Sequence, residues 1–229
     1  MTMSTVSQLS QNGFVSLQNG RFQLAHRFFN ECMILLEQQT ESESFEPSSI
    51  ASANKKDGFA QPDLKVHACS LELDLNSENI TSHNLFCLFD RVFLPLSRRD
   101  GAVEATVMGI YNMAITHHVH AATRSDGSAH HFRRALHFYR LALEAAETCS
   151  VTTYLEDPCY LIKLAIHNNL CHILCHFQET LALTETAKAL ILLMPELCLH
   201  PGISERDTSF FCSSAFTTPW ILAGAAAAA

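Results

Sequence analysis

Cysteine and histidine side chains recur at one-turn intervals between residues 167 and 176. His167, Cys171 and Cys175 are four residues apart and would share one face of a helix, with His172 and His176 on an adjacent stripe. Zinc prefers Cys and His ligands in a tetrahedral array, so a metal site is one interpretation. All these candidates lie on a single predicted helix, and no closely spaced cysteine pair occurs elsewhere in the sequence. We therefore expect buried thiols and partly exposed histidines here, and no metal ligand.

A second group of histidines flanks one predicted loop. His117, His118 and His120 precede the loop, and His130 and His131 follow it. These five rings could converge on a site for metal or proton chemistry. Histidines in such positions are more often solvated side chains at helix ends, and this is the interpretation that we favour.

Cys159 is the cysteine whose position suits a nucleophile best. It follows Asp157 and Pro158, which predict a helix start because the aspartate can cap free amides and proline fits the first turn. A thiol in that turn can have a lowered pKa. No recognisable cysteine-enzyme motif surrounds it, and the sequence contains no glycine-rich phosphate loop, serine nucleophile elbow or HExxH helix. A packing role fits Cys159 better, and we expect neither enzyme activity nor a cofactor.

The composition predicts a soluble protein with a buried core. Of 229 residues, 48% are hydrophobic and 17% are charged. The net charge of −8 offers no basic field to a phosphate backbone, so nucleic acid is not an expected partner. Residues 1–12 lack the basic start and apolar run of a secretory signal, and no stretch approaches the ~20 apolar residues of a membrane helix. The 9 scattered cysteines suit free thiols in a reducing compartment, so we expect a cytoplasmic protein without membrane contact.

Apolar periodicity predicts three antiparallel helical hairpins. The first occupies residues 1–40, and its arms, Thr5–Asn19 and Arg21–Gln39, meet at Gly20. The second and third occupy residues 98–201. Their predicted helices are Gly101–Ala122, Ala129–Thr148, Asp157–His176 and Thr180–Pro195, the last of which ends at a proline that lacks an amide donor.

The remaining segments differ in composition from the hairpins. Residues 41–63, rich in Ser, Glu and Lys, predict a flexible loop. Residues 64–97 predict an antiparallel β-ribbon with strands in Leu64–Leu75 and Leu85–Leu96, the second of which is rich in aromatic and branched residues. Residues 202–229 predict a short strand at Thr208–Thr217, with a docked helix as the alternative, and a frayed alanine-rich tail. The predicted fold is one mainly α domain of stacked antiparallel hairpins with a small inserted β-ribbon.

The hairpins resemble the tetratricopeptide repeat, whose helix pairs stack so that each buries the apolar face that its neighbour leaves open. The first hairpin matches the family pattern of large, small, aromatic and alanine positions at Leu9, Gly13, Gly20, Phe22, Ala25, Phe29 and Cys32. Only Ser16 departs from it, at a position where the family usually has a bulky residue. The second hairpin matches at Ile110, Ala114, Ala135, Tyr139 and Ala142 if the turn is lengthened. The third matches at Leu170, Cys171, Leu174 and Pro195 but departs from the pattern at Leu183 and Ala187. The resemblance covers about half of the chain.

The resemblance implies a scaffold that binds a peptide or a partner protein. In grooves of this family, an asparagine on an inner helix can hydrogen-bond the backbone of a bound peptide. Asn112, Asn168 and Asn169 lie in predicted helices, where asparagine is a poor helix former and tends to find a polar partner, either in a ligand or in the core. The predicted partner-binding residues are Tyr111, Asn112, His117, His118, Asn168 and Asn169. A Cys/His metal-binding protein, responsive to redox state or metal, is the alternative function.

Overall fold

Helices account for most of the described chain. The computed structural model describes residues 3–43, 67–71, 86–95, 102–124, 128–148, 157–200 and 203–227. In chain order the elements are α1 (Met3–Gln18), α2 (Phe22–Glu43), β1 (His67–Ser70), β2 (Arg91–Leu94), α3 (Ala102–Thr123), α4 (Ser128–Thr148), α5 (Tyr160–His176), α6 (Thr180–Leu193), a 3-10 turn (Met194–Glu196) and α7 (Glu205–Ala227). The predicted fold class, stacked helical hairpins with a small β-ribbon, is confirmed.

The first hairpin turns at Gly20, whose φ of 67° lies in the left-handed region that favours glycine. Its arms approach closely because Gly13 of α1 faces the ring of Phe29 of α2. A Cβ atom at position 13 would lie 2.6 Å from Phe29 Cε1, closer than real contacts allow. Ala25 and Cys32, on the same face of α2 as Phe29, are also buried. The small residues thus set the separation of the two helices.

The second and third hairpins, α3–α4 and α5–α6, continue the stack, in which α2 packs on α3 and α4 packs on α5. Ala135, Tyr139 and Ala142 of α4 are fully buried at the helical spacing that the sequence predicts. Asp157 precedes α5, and its carboxylate accepts a hydrogen bond from the Cys159 amide at 2.8 Å, as the predicted helix start requires.

The ribbon pairs β1 with β2 in antiparallel register, with Ala68 opposite Phe93 and Cys69 opposite Val92. A further ladder bond joins the Leu71 amide to the Asp90 carbonyl at 3.0 Å. The predicted antiparallel pairing of Leu64–Leu75 with Leu85–Leu96 is therefore confirmed over these residues. Strand β2 also contacts α1 and α3, so the ribbon rests on the helices.

The predicted strand at Thr208–Thr217 is wrong, because these residues belong to helix α7. The Ser204 hydroxyl accepts a hydrogen bond from the Asp207 amide at 3.2 Å and donates one to the Asp207 carboxylate at 2.5 Å, which caps the helix start. Phe211 and Ser214 are buried four and seven residues beyond Asp207, and therefore lie on the same helix face. The aromatic residues suggested a strand, but capping and helical spacing decide the conformation. The helix continues through the alanine-rich end to Ala227.

Other predictions fall partly outside the described residues. Helix α2 extends to Glu43, so residues 41–43 are helical and not part of a loop, whereas residues 44–63 lie outside the described chain. Among the described helices, none combines the length and apolar character that crossing a membrane would require.

Candidate functional site: an asparagine-lined helix face

Residues 86–95, which include strand β2, run along a face to which every second helix contributes. Helices α1 and α3 contact β2 directly. Helix α5 contributes Asn168 and Asn169, and α7 contributes Asp207 and a pair of phenylalanines. We call residues 86–95 the seated segment and this surface the asparagine face.

Asn112 of α3 binds the backbone of Phe93 at both polar groups. The Phe93 amide donates to Asn112 Oδ1 at 3.0 Å, and Asn112 Nδ2 donates to the Phe93 carbonyl at 2.7 Å. One acceptor and one donor side by side are what a neighbouring strand would offer. The amide of Asn112 therefore takes the place of a third strand beside β2.

Asn169 of α5 repeats this arrangement four residues earlier in the segment. The Phe89 amide donates to Asn169 Oδ1 at 2.8 Å, and Asn169 Nδ2 faces the Phe89 carbonyl at 3.2 Å. The same Nδ2 also faces the hydroxyls of Tyr111 at 3.3 Å and Tyr139 at 3.0 Å. Burial raises the pKa of both tyrosine hydroxyls well above the ordinary value, so both keep their protons at neutral pH.

Asn168 extends the contact two positions further toward the start of the segment. Its Nδ2 donates to the Cys87 carbonyl at 2.9 Å and to Asn169 Oδ1 at 3.2 Å. The three asparagines thus bind the backbone at positions 87, 89 and 93. The asparagines thus contact backbone polar groups of the segment, and these hydrogen bonds do not depend on particular side chains.

The seated segment also makes aromatic and ionic contacts with α7. The Phe89 ring lies 5.1 Å from that of Phe210 and 4.8 Å from that of Phe211, both on α7. Arg91 Nη2 lies 2.7 Å from Asp207 Oδ1, and both side chains are largely buried. Burial strengthens the electrostatic attraction of this ion pair, since water does not screen it. The ion pair fixes α7 to the ribbon.

Behind the asparagines lies a buried chain of rings that we call the histidine chain. His118 Nδ1 is 3.2 Å from the Tyr139 hydroxyl, and His118 Nε2 is 2.9 Å from His172 Nδ1. Burial lowers the pKa of His118 well below 6.5 and that of His172 to about 4, and neighbouring histidines add to both effects. Both rings are therefore neutral at pH 7.

A second histidine contact lies at the α2–α3–α4 junction. His117 Nδ1 and His131 Nδ1 are 3.1 Å apart, and His26 lies beside His117 with ring centroids 5.0 Å apart. Burial, followed by the charges of neighbouring histidines, lowers the pKa of His117 to about 3. The two histidine groups flanking the predicted loop thus meet through His117 and His131. The favoured interpretation of solvated helix ends does not describe His117 and His118, since both are buried.

The surroundings of the residues considered as metal ligands or as a nucleophile do not suit that chemistry. Burial raises the pKa of the Cys171 thiol far above its usual range and lowers that of His167 to about 4. Cys175 is only partly buried. In the described part of the chain, no three His, Cys, Asp or Glu side chains are grouped so that they could hold a metal ion. Cys159 is fully buried, which excludes a reactant from its thiol in this conformation.

All six residues predicted to contact a partner are buried. The asparagines bind the chain's own backbone, Tyr111 supports Asn169, His118 lies behind them, and His117 lies at the α2–α3–α4 junction. A role in contacting a separate partner stays a prediction. The sequence interpretation missed the contributions of Phe89, Arg91, Phe93 and Asp207. The run of aromatic and branched residues in the segment was a usable signal for a strand, but the sequence did not identify the partner of each backbone group.

Comparison of the chain with protein-family models, with curated proteins and with solved structures found no match.

Proposed function

We propose that this protein is a non-enzymatic interaction module whose asparagine face binds extended polypeptide. The proposal is supported chiefly by one observation: Asn112 and Asn169 each offer a donor and an acceptor to a single residue of the seated segment. Such paired hydrogen bonds are how a strand adds to a sheet edge, the mode by which many domains take up peptides. The resemblance of the hairpins to tetratricopeptide repeats points in the same direction.

The seated segment defines the chemistry that a partner must offer. Six of its ten residues have buried apolar side chains: Phe86, Leu88, Phe89, Val92, Phe93 and Leu94. Each such side chain contributes ~1.5–3 kcal/mol when it is fully buried. A partner that takes this place must therefore be an extended segment rich in aromatic and branched residues. It must also compete with a segment that is tethered at high effective concentration.

The cellular setting that we propose is the cytoplasm. The structure describes eight of the cysteines, at positions 32, 69, 87, 159, 171, 175, 198 and 212, and no disulfide joins any two of them. Cysteines in such number without disulfide links among them suit a reducing compartment.

The proposal can be tested with a labelled synthetic peptide of residues 86–95. Its fluorescence anisotropy would be titrated with the full chain and with a Phe93→Ala chain, in which the tethered competitor is weakened. We expect tighter binding to the Phe93→Ala chain, because the free peptide then competes with a poorer ligand for the same face.

Two controls make the result specific. A peptide of scrambled order has the same composition but a different order of apolar and polar residues, and we expect it to bind at least tenfold more weakly. A chain with Phe93→Ala and Asn112→Ala together should lose the gain in affinity, since the backbone contact is gone. Equal binding of the native and scrambled peptides would contradict the proposal.

A further inference from the structure

We infer that the outer face of α6 docks a second copy of this chain, with the two α6 helices antiparallel. The inference is carried by four residues, which we call the α6 stripe: Leu181, Glu185, Lys188 and Leu192. Their intervals of four, three and four positions place them on one side of the helix. The inference goes beyond the proposed function and does not depend on it, since the polar contacts of the seated segment come from α3, α5 and α7.

The two leucines of the stripe are unusually exposed. Leu181 is 79% exposed and Leu192 is 74% exposed, whereas the other side of the same helix is buried through Leu183, Ala187 and Leu190. Single exposed apolar residues are common on protein surfaces. Two of them on one face, about three helical turns apart, leave an apolar site at each end of a polar centre. A partner that covers this face must offer apolar side chains at the same separation.

The α6 stripe is complementary to itself. When two copies align antiparallel about its midpoint, Leu181 meets Leu192 of the second copy, and Glu185 meets Lys188 of the second copy. An isologous contact requires such a pattern, because each pair occurs twice across the two-fold axis. Leucine then packs on leucine at both ends, and acid meets base twice at the centre. A parallel alignment would instead place Glu185 against Glu185 and Lys188 against Lys188.

The charged centre of the stripe fixes the alignment. Within one copy, Lys188 Nζ lies 3.0 Å from Glu185 Oε1, and more than half of each side chain is exposed. An exposed pair of this kind contributes little to stability on its own. In the antiparallel dimer, two such pairs join into a ring of alternating charges. Charges at an interface select register and partner more than they add affinity, so the affinity comes mainly from the leucines.

Helix α4 carries a second pattern with the same symmetry. Arg133 and Glu144 are both exposed and are separated by eleven positions, as the two leucines of α6 are. In an antiparallel pair of α4 helices, Arg133 meets Glu144 of the second copy at both ends. His137 and Arg140, nearer the midpoint, meet each other and add no attraction. Within the described part of one copy, no ion pair involves Arg133 or Glu144, so both charges are available to a partner.

The stability of α4 does not explain this order of charges. Acidic residues near the start of a helix and basic residues near its end are stabilising. Helix α4 has no acidic residue in its first turn and no basic residue in its last turn. Its three arginines, Arg133, Arg134 and Arg140, all precede Glu144 and Glu147. The order is the reverse of the one that suits an isolated helix, and a self-complementary contact accounts for it.

The patterns on α4 and α6 suit one two-fold axis. Helix α4 packs on α3 and α5, and α6 packs on α5 and α7, so α4 and α6 form one layer over the other three helices. Both start at the same end, because the Phe132 ring lies 6.2 Å from that of Phe177 and Thr180 begins α6 three residues later. At 1.5 Å per residue, each midpoint lies about 10 Å along its helix from Phe132 or Thr180. The two antiparallel pairs therefore form at the same level.

Sedimentation velocity of the full chain at several concentrations tests the inference, and we expect a monomer–dimer equilibrium. Leu192→Asp should raise the dissociation constant at least about tenfold, because a carboxylate cannot pack on Leu181 of the second copy without losing its water. Val15→Asp, at an exposed apolar position of α1, makes the same change of charge and should leave the constant unchanged. A wild-type chain that stays monomeric at ~100 µM would overturn the inference.

Mixing of charge-reversed chains tests the antiparallel register. Glu185→Lys places two lysines together across the contact, and Lys188→Glu places two glutamates together. Each chain alone should therefore dimerise at least about tenfold more weakly than the wild type. In an equimolar mixture, the heterodimer has acid against base at both contacts, and its dissociation constant should return to about the wild-type value. A mixture that associates as weakly as its components would overturn the register.

The same exchange with Arg133→Glu and Glu144→Arg tests the part played by α4. Each chain alone should dimerise more weakly than the wild type, and the mixture should recover. Single variants that both dimerise with the wild-type constant would overturn the shared axis. All of these substitutions lie at exposed positions, so each variant should remain folded, which thermal unfolding followed by circular dichroism checks.

Discussion

The side-chain amide of Asn112 closes both backbone hydrogen bonds of Phe93, a residue 19 positions earlier in the chain. Both residues are buried, so water cannot replace the amide if it is removed. An unmet buried polar group costs ~1–3 kcal/mol. The Asn112 contact is therefore a property of the fold that can be measured apart from any partner.

We expect Asn112→Ala to lower the free energy of unfolding by at least ~1–3 kcal/mol, because the Phe93 amide and carbonyl both lose their partner. Urea denaturation at neutral pH measures this. Asn30→Ala, at an exposed position of α2, is the matched control and should stay within ~0.5 kcal/mol of the wild type. A change no larger than that of the control would show that the Asn112 amide does not hold the ribbon.

Gly13→Ala should destabilise the first hairpin. In a helix interior this substitution alone would add ~0.5–1 kcal/mol of stability, since alanine is the better helix former. The new Cβ would instead meet the Phe29 ring at 2.6 Å and force the helices apart. The sign of the change is thus diagnostic. A raised melting temperature would mean that α1 and α2 are not in close contact at this position.

Ala135→Trp should disrupt the second hairpin, because Ala135 is fully buried on α4, which packs against α3. Overpacking of this kind commonly costs ~1–3 kcal/mol. Thermal unfolding followed by circular dichroism measures the loss. Arg140→Trp on the exposed side of the same helix is the control. If both variants melted like the wild type, Ala135 would lie outside the seam.

Arg91→Leu should cost ~3–5 kcal/mol, since it leaves the buried carboxylate of Asp207 without its cation. The double variant Arg91→Leu with Asp207→Asn should recover part of that loss, because no buried charge then remains. Chemical denaturation of both variants gives the comparison. Arg27→Leu, which breaks the exposed pair with Glu31, should cost less than ~1 kcal/mol. A double variant less stable than Arg91→Leu would contradict this view of the ion pair.

Stability should fall as the pH is lowered from 7.5 to 5. The folded-state pKa is about 3 for His117, about 4 for His167 and about 4 for His172, in each case below the unfolded value of 6.5. The unfolded chain therefore binds more protons in this window, and each histidine removes up to about 1.4 kcal/mol per pH unit below 6.5. The loss ceases near pH 4 for His167 and His172. Urea denaturation at several pH values measures the slope, and an equal free energy at pH 7.5 and pH 5 would contradict the prediction.

The hairpins could be predicted from the sequence because their signals are local. Gly20 lies at the turn between α1 and α2, Asp157 lies at the start of α5, and Pro195 follows the end of α6. Each residue is within a few positions of the feature that it predicts. The prediction of a strand at Thr208–Thr217 was wrong because the local signals conflict there. Phe210 and Phe211 suit a strand, but Ser204 and Asp207 form a cap that the prediction did not weigh.

The site could be predicted only in part. A mid-helix asparagine indicates that a polar partner exists, but it does not identify that partner. Asn169 meets Phe89 across 80 positions of sequence, and Tyr111 meets Asn169 across 58. Pairings of this kind depend on how hairpins stack, which a helical periodicity does not encode. For the same reason, the depth at which His118 and His172 lie could not be read from their spacing.

The 80 positions between Phe89 and Asn169 also have a consequence for how the chain folds during translation. At ~5–20 residues per second, the ribosome makes Asn169 ~4–16 s after Phe89. For that time the ribbon lacks the contacts that α5 and α7 make with Phe89, and exposed apolar residues are prone to aggregate. Nascent chains halted before α5 should therefore recruit chaperones that the completed chain does not need.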